Sequence, residues 1–261
     1  MVENRMPVVF IGHGSPENAL DKNEFTESWK RFAEAIPKPK AILCISAHWL
    51  KEGTAVTAME KPKTIHDFYG FGDELYKIKY SAPGSKSFAE KIKKVIKTVS
   101  VNLDEEWGLD HGTWSVLLNM YPNADIPVAQ LSLDYYLPLE NIFQIGKELK
   151  KLRDEGVLII GSGNIVHNLR VFEIDAKPYD WAIDFDKFVK VRLINKDYDA
   201  LINYTKNKSA SLAHPTNDHY LPLIYVMGAA EGEEAEFFCE KIIFGSISMR
   251  CVMYGAKKFK I

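Results

Sequence analysis

PVVFIGHGSP, residues 7–16, sets a continuous apolar run against an abrupt polar turn. Val8, Val9, Phe10 and Ile11 show no polar alternation, the pattern of a strand covered on both faces. Strands of that kind belong to sheets with helices packed on either side, so the stretch points to an α/β fold. The run stops at Gly12-His13-Gly14-Ser15-Pro16. Open α/β sheets place ligands at the carboxyl ends of their strands. His13 is therefore either a solvent-facing turn residue or part of a metal or catalytic site. Gly12 and Gly14 are expected to let the backbone turn tightly and to leave room beside a metal.

Three more runs resemble the first: 41–46 (AILCIS), 126–131 (IPVAQL) and 157–161 (VLIIG). Amphipathic patterns between them predict helices over 23–35, 86–98 and 138–154. The last opens with Pro138 and Glu140 and closes with Lys150, Lys151 and Arg153 before Gly156, in keeping with the helix dipole. Residues 179–204 read as helix, with Trp181, Ile183, Phe185, Phe188 and Val189 on a stripe, and more helix is expected over 219–229. Two final runs, 235–243 and 246–254, meet at Phe244-Gly245 and read as an antiparallel hairpin on the sheet edge. With no repeat, low-complexity segment or linker, residues 1–261 are expected to form a single α/β domain. Its mixed central β-sheet would be flanked by helices and extended by the C-terminal antiparallel hairpin.

A net charge of −2 gives no electrostatic case for nucleic acid or an anionic membrane as partner. No apolar run approaches the ~20 residues that span a bilayer. The opening MVENRMPVVF lacks a signal-peptide pattern, so a cytoplasmic location is expected. Cys44, Cys239 and Cys251 are odd in number and set in apolar surroundings, which suits reduced core residues better than disulfides or a thiolate metal site. The edge of the terminal hairpin offers a surface for a homodimer, unless helices cover it.

The chemistry lies in the seven histidines. His48 closes the second run (CISAHW) as His13 closes the first. His167 follows the fourth (IIGSGNIVHNLR), His111 stands in GLDHGTW, and His214 and His219 share AHPTNDHYLPL. His66, in TIHDFYGF, is either a turn residue or a pocket wall. Parallel strands would bring their carboxyl ends, and these rings, to one sheet edge. Neutral imidazole is the commonest protein metal ligand, and two or three such rings suit a catalytic zinc or iron. There is no GxGxxG after a strand and no Walker-type GxxxxGK, so nucleotide binding is unsupported. Ser15 in GHGSP does not sit in a GxSxG nucleophile elbow.

GHGSP, SAHW, DHGTW, GSGNIVHNLR and HPTNDHYLPL, in that order from residue 12 to 223, resemble the class III (LigB-type) extradiol ring-opening dioxygenases. The resemblance is strongest to their 4,5-DOPA dioxygenase extradiol group. It implies a non-haem Fe(II) enzyme that binds a catechol and O2 and opens the ring beside the two hydroxyls. His13 and His48 then correspond to metal ligands, His167 to the acid/base residue and His111 to a residue touching substrate. Asn168 and Arg170, in the same HNLR segment, are expected at the substrate. The wider class supplies its third ligand from a glutamate in an E-Y-I…G frame. Here HYLPLIYVMG puts His219 at that place, a departure from the two-histidine, one-carboxylate triad. His214 is the alternative third ligand, or a substrate-binding partner.

Three ligands on one face of an octahedral iron leave room for a bidentate catecholate and O2. An imidazole of ordinary pKa ~6.5 suits the proton transfers. Each ligand ring needs its second nitrogen held, for which Asp110, Asn164 and Asp218 are the nearby candidates. Trp49, Phe68, Tyr69 and Tyr220 are either pocket walls or core. Three neutral histidines also suit zinc, which lowers the pKa of bound water to ~7, so a zinc hydrolase is the alternative function. Zinc is also expected to occupy the site in purified protein, because it binds histidine-rich sites more tightly than ferrous iron.

Overall fold

In the computed structural model, which describes residues 5–256, the chain opens with strand β1 (Val8–Gly12), helix α1 (Glu24–Ala35) and strands β2 (Ala41–Lys51), β3 (Thr54–Thr57) and β4 (Lys63–Thr64). Helices α2 (Asp73–Lys77) and α3 (Lys86–Val95) precede β5 (Val101–Asp104), β6 (Gly108–Leu109) and α4 (His111–Met120). Then come β7 (Val128–Asp134), α5 (Leu139–Asp154) and β8 (Val157–Gly163). Helices α6 (Asp180–Ile194), α7 (Tyr198–Ile202), α8 (Ala210–Ala213) and α9 (Leu221–Ala229) lead to β9 (Ala235–Phe238), β10 (Ile242–Ile243), β11 (Ile247–Ser248) and β12 (Cys251–Tyr254).

Eight strands form one mixed sheet in the order β5-β3-β7-β2-β8-β1-β12-β9. Its centre, β7-β2-β8-β1, is parallel and is built from the four apolar runs. Alternation along each strand splits the core in two. Val8, Phe10, Leu43, Ile45, Leu131 and Ile159 face α5 and α9, while Val9, Ile11, Ile42, Cys44, Leu158 and Ile160 face α1 and α4. Gly146 of α5 and Gly228 of α9 let those helices touch: a Cβ on Gly146 would lie 2.3 Å from the Tyr225 carbonyl oxygen, and one on Gly228 2.2 Å from that of Phe143.

Several boundaries differ from the pattern. β2 continues past His48 to Lys51, with a shift of register against β7 between Ile45 and Leu50, so His48 lies in an irregular stretch within the strand. Such irregularities re-aim side chains near active sites. β7 begins at Val128, because Pro127 has no N–H to give a ladder. The helix read over 179–204 is broken at Asn195-Lys196-Asp197: Lys196 adopts φ 57°, and the Asp197 side chain caps α7 by accepting from the Ala200 N–H. Helix α3 stops at Val95 and α9 starts at Leu221.

The terminal hairpin pairs β9 with β12 on the sheet edge, but its tip is a separate ribbon, β10 with β11. Phe244 and Gly245 turn that ribbon with φ of 53° and 75°. The segment between the ribbon and β12 explains the glycines of the first turn. A Cβ on Gly12 would meet the Met249 backbone at 2.7 Å and one on Gly14, at φ 65°, the Met249 sulfur at 2.7 Å. They make room for Met249, not for a metal. Among the described residues no helix is long and apolar enough to cross a membrane, and all three cysteines are free, Cys44 and Cys251 being buried.

Candidate metal centre

The carboxyl edge of the parallel strands gathers five of the seven histidines. His13 follows β1 directly, and its N–H donates to the Gly163 carbonyl at the end of β8 (3.0 Å). His48 projects from the irregular stretch of β2. His219 precedes α9, its carbonyl accepting the Asn164 N–H (3.0 Å). That approach requires Gly163, since a Cβ there would lie 2.2 Å from the His219 carbonyl oxygen. The three rings form a near-equilateral triangle, with centroid separations of 5.1 Å (13–48), 5.3 Å (13–219) and 5.0 Å (48–219). One nitrogen from each lies within 4.8 Å of the other two.

Hydrogen bonding decides which nitrogens carry lone pairs. The Ser162 hydroxyl donates to the Gly112 carbonyl (2.5 Å), so it accepts from His13 Nδ1 (2.9 Å). Asp218 accepts from His219 Nδ1, and Asp67 Oδ2 lies 3.3 Å from His48 Nδ1 without a hydrogen bond between them. His13 and His219 thus hold their hydrogen on Nδ1 and turn a bare Nε2 inward. The Nε2 atoms of His13 and His48 face each other at 3.2 Å, and that of His219 is buried without a partner. Three inward ring nitrogens, that of His219 buried without a partner, form a donor set that suits a divalent transition metal. The residues present fit a metal ion.

Around this triangle stand the other two histidines. Asp67 Oδ2 also accepts from His111 Nδ1 (2.9 Å) and its Oδ1 from the His111 N–H (2.8 Å), at the first turn of α4. The His111 ring centroid is 3.9 Å from that of His48. His167 stacks on His219 at 3.5 Å with 6° between the planes. His214 lies outside the cluster, its Nε2 bonded to the Ile165 carbonyl (2.7 Å) among Phe185, Tyr204 and Tyr220. Asn168 gives its side-chain N–H to the Leu212 carbonyl (2.7 Å) and accepts from the Arg170 N–H (3.0 Å), while Arg170 is exposed.

Of the three groups expected to hold ring nitrogens, only Asp218 does so. Asp110 caps α4 and accepts from Ser46 Oγ (2.7 Å) and Gln130, and Asn164 donates to the Ser248 carbonyl (2.8 Å). Burial, with the nearby Asp67 charge, pushes the Asp110 carboxyl up to about 6. Phe68 meets the His111 ring edge-on at 5.6 Å. Trp49 stacks on Trp107, Tyr220 lies in the core, and Tyr69 is 92% exposed. His66 holds the Ile78 carbonyl (3.1 Å) and lines a separate cleft with Lys61, Lys63 and Lys79. Asp67 and Ser162 were not singled out in the sequence; the only trace of Asp67 was a carboxylate beside His66 in IHDF.

Burial holds these rings neutral. It lowers His48 to about 3 and His167 and His214 to about 4, with neighbouring imidazoles adding and Asp67 or Asp218 partly opposing. His13 and His219 are pushed well below the ordinary histidine value by the same causes. The folded values lie below the unfolded ~6.5, so the unfolded chain binds more protons on acidification. Stability conferred by the neutral rings is therefore complete above pH ~6.5 and is lost as pH falls below that value. Urea unfolding of metal-free protein at stepped pH should show the midpoint falling through that window. A flat profile would contradict this burial.

Known proteins resemble the chain over nearly its whole length. The family model for the catalytic LigB subunit of aromatic ring-opening dioxygenase matches residues 6–250. A "4,5-DOPA dioxygenase extradiol" of Escherichia coli K12 is 46% identical, covering 98% of this chain and 97% of its own. A protein of the same name from Beta vulgaris is 40% identical over the same shares. The crystal structure of an uncharacterized Escherichia coli K12 protein, 42% identical, matches with a TM-score of 0.84 over 96% of this chain and all of that one. With its histidine edge and this match over nearly its whole length, the chain belongs to the LigB family of aromatic ring-opening dioxygenases and is an enzyme of their extradiol class.

Proposed function

We propose that the enzyme is a non-haem Fe(II) dioxygenase that opens a DOPA-like catechol with O2 beside its two hydroxyls. The observation that carries this reading is the convergence of one nitrogen each from His13, His48 and His219, that of His219 buried without a partner. The names of the relatives supply the substrate class. Ferrous iron held there would acidify the catechol hydroxyls and bring O2 to the same centre. His167, stacked beside His219 and neutral at pH 7, takes a hydroxyl proton and later returns it. A ring of low basicity suits a hydroxyl already made acidic. His111, its Nδ1–H tied to Asp67, offers Nε2 as an acceptor to the second hydroxyl.

Arg170 is the cation we assign to the carboxylate of an amino-acid-type catechol. Asn168 and His214 spend polar atoms on backbone carbonyls and serve the substrate through the loops they hold.

The test is an oxygen-electrode screen of protein loaded anaerobically with Fe(II), offered DOPA, protocatechuate and simpler catechols. We expect O2 uptake with a yellow ring-opened semialdehyde, fastest for DOPA. No uptake across the panel would overturn the assignment. Ester or phosphate hydrolysis by zinc-loaded protein would favour the hydrolase reading instead.

A further inference from the structure

The metal donors proposed above are all neutral, yet carboxylates stand one layer behind two of them. Asp218 is bonded to His219 Nδ1 and Asp67 Oδ2 lies 3.3 Å from His48 Nδ1, whereas His13 is backed only by the neutral Ser162 hydroxyl. No carboxylate oxygen belongs to the set of three converging donor atoms. We propose that Asp218 and Asp67 supply from behind the rings the negative charge that a carboxylate ligand would supply directly. Asp218, sitting behind the ring that replaces the expected glutamate, carries the larger part.

This rests on the reading that the three Nε2 atoms hold a metal. Its physical basis is that a carboxylate hydrogen-bonded to a ligand imidazole raises the basicity of the donor nitrogen, and that outer partners of this kind typically govern metal affinity by about 10–100-fold. Asp67 is additionally shared with His111 through the same oxygen. Asp218 has no other bonded histidine among the described residues, so it isolates the effect. Asp218 is a positioning residue here, since it belongs to no converging donor set, whereas Asp67 also converges with His48 and His111.

The experiment separates charge from orientation. Asp218→Asn keeps an oxygen acceptor for His219 Nδ1–H but removes the charge. Metal affinity is measured on the full chain by Co(II) titration, read from visible absorption, with the melting temperature of the metal-free protein as a folding control. D218N should bind Co(II) about 10–100-fold more weakly than wild type. His219→Glu moves the charge onto the metal, so in that background D218N should change affinity less than threefold.

Wild-type binding with D218N within threefold of it overturns the proposal, because orientation alone then suffices. A tenfold loss caused by D218N in the H219E background also overturns it, and this comparison serves if D218N alone folds poorly. Failure of wild-type protein to bind Co(II) would instead refute the metal reading beneath it.

Discussion

His167→Ala is expected to lower kcat by about 10²–10⁴-fold, the range for loss of a general acid–base group, while metal content and KM stay near wild type. The separation follows from geometry. The His167 ring stacks face to face on His219 but contributes no nitrogen to the converging set, so its removal leaves all three donors and their Nδ1 partners in place. What disappears is a neutral proton acceptor beside the centre, kept neutral by burial that lowers it to about 4. Metal analysis of the purified variant, set against its turnover of DOPA, checks both halves. Parallel loss of metal and activity would show that the ring supports the donor set and does not move a proton.

His13→Ala is expected to abolish turnover through the opposite route. His13 is 1% exposed and fixed by bonds from its N–H to Gly163, from its Nδ1 to Ser162 and from the Asn18 side chain to its carbonyl. Without it only two inward lone pairs remain, and the loss of affinity should exceed the about 10–100-fold typical of an outer-sphere change. Binding to the folded state alone stabilises it, by about 4.1 kcal/mol when metal is present at a thousand times Kd. Wild-type protein should therefore melt at a higher temperature with added Zn(II) or Fe(II), and the variant should melt at its metal-free temperature with or without them. An undiminished metal-induced shift in His13→Ala would exclude it from the donor set.

How much of this was legible in the sequence depends on whether a residue's role is local. The four central strands announced themselves because burial on both faces leaves an unbroken apolar run, as in VVFI and LCI. His13 sits at the end of such a run, and its place at the sheet edge followed. His48 was readable as a neighbour of that edge, but the continuation of β2 through Ser46 and His48 was not, because polar residues interrupt the apolar pattern. Helix α4 was legible only as a helical pattern after His111, without bounds, for the opposite reason. Thr113, Trp114, Ser115, Val116 and Leu117 are all buried, so no polar face marks a helical period.

Asp67 lay beyond any local signal. Its two partners come from β2 and from the start of α4, 44 residues away in the case of His111, and meet it only through the fold. Ser162, flanked by two glycines, carries no local sign that it lies near the end of a buried strand facing His13. The separation of His219 from His214 was likewise tertiary. The Ile165 carbonyl captures His214, and the absence of a side chain at Gly163 lets His219 reach the cluster.

The central claim is that this histidine edge delivers both atoms of O2 to a catechol ring. The most direct measurement is mass analysis of the ring-opened product formed by Fe(II)-loaded enzyme under isotopically heavy O2, with the aldehyde reduced at once to prevent exchange with water. The product should carry two heavy oxygen atoms. A product carrying none, or one, would contradict it.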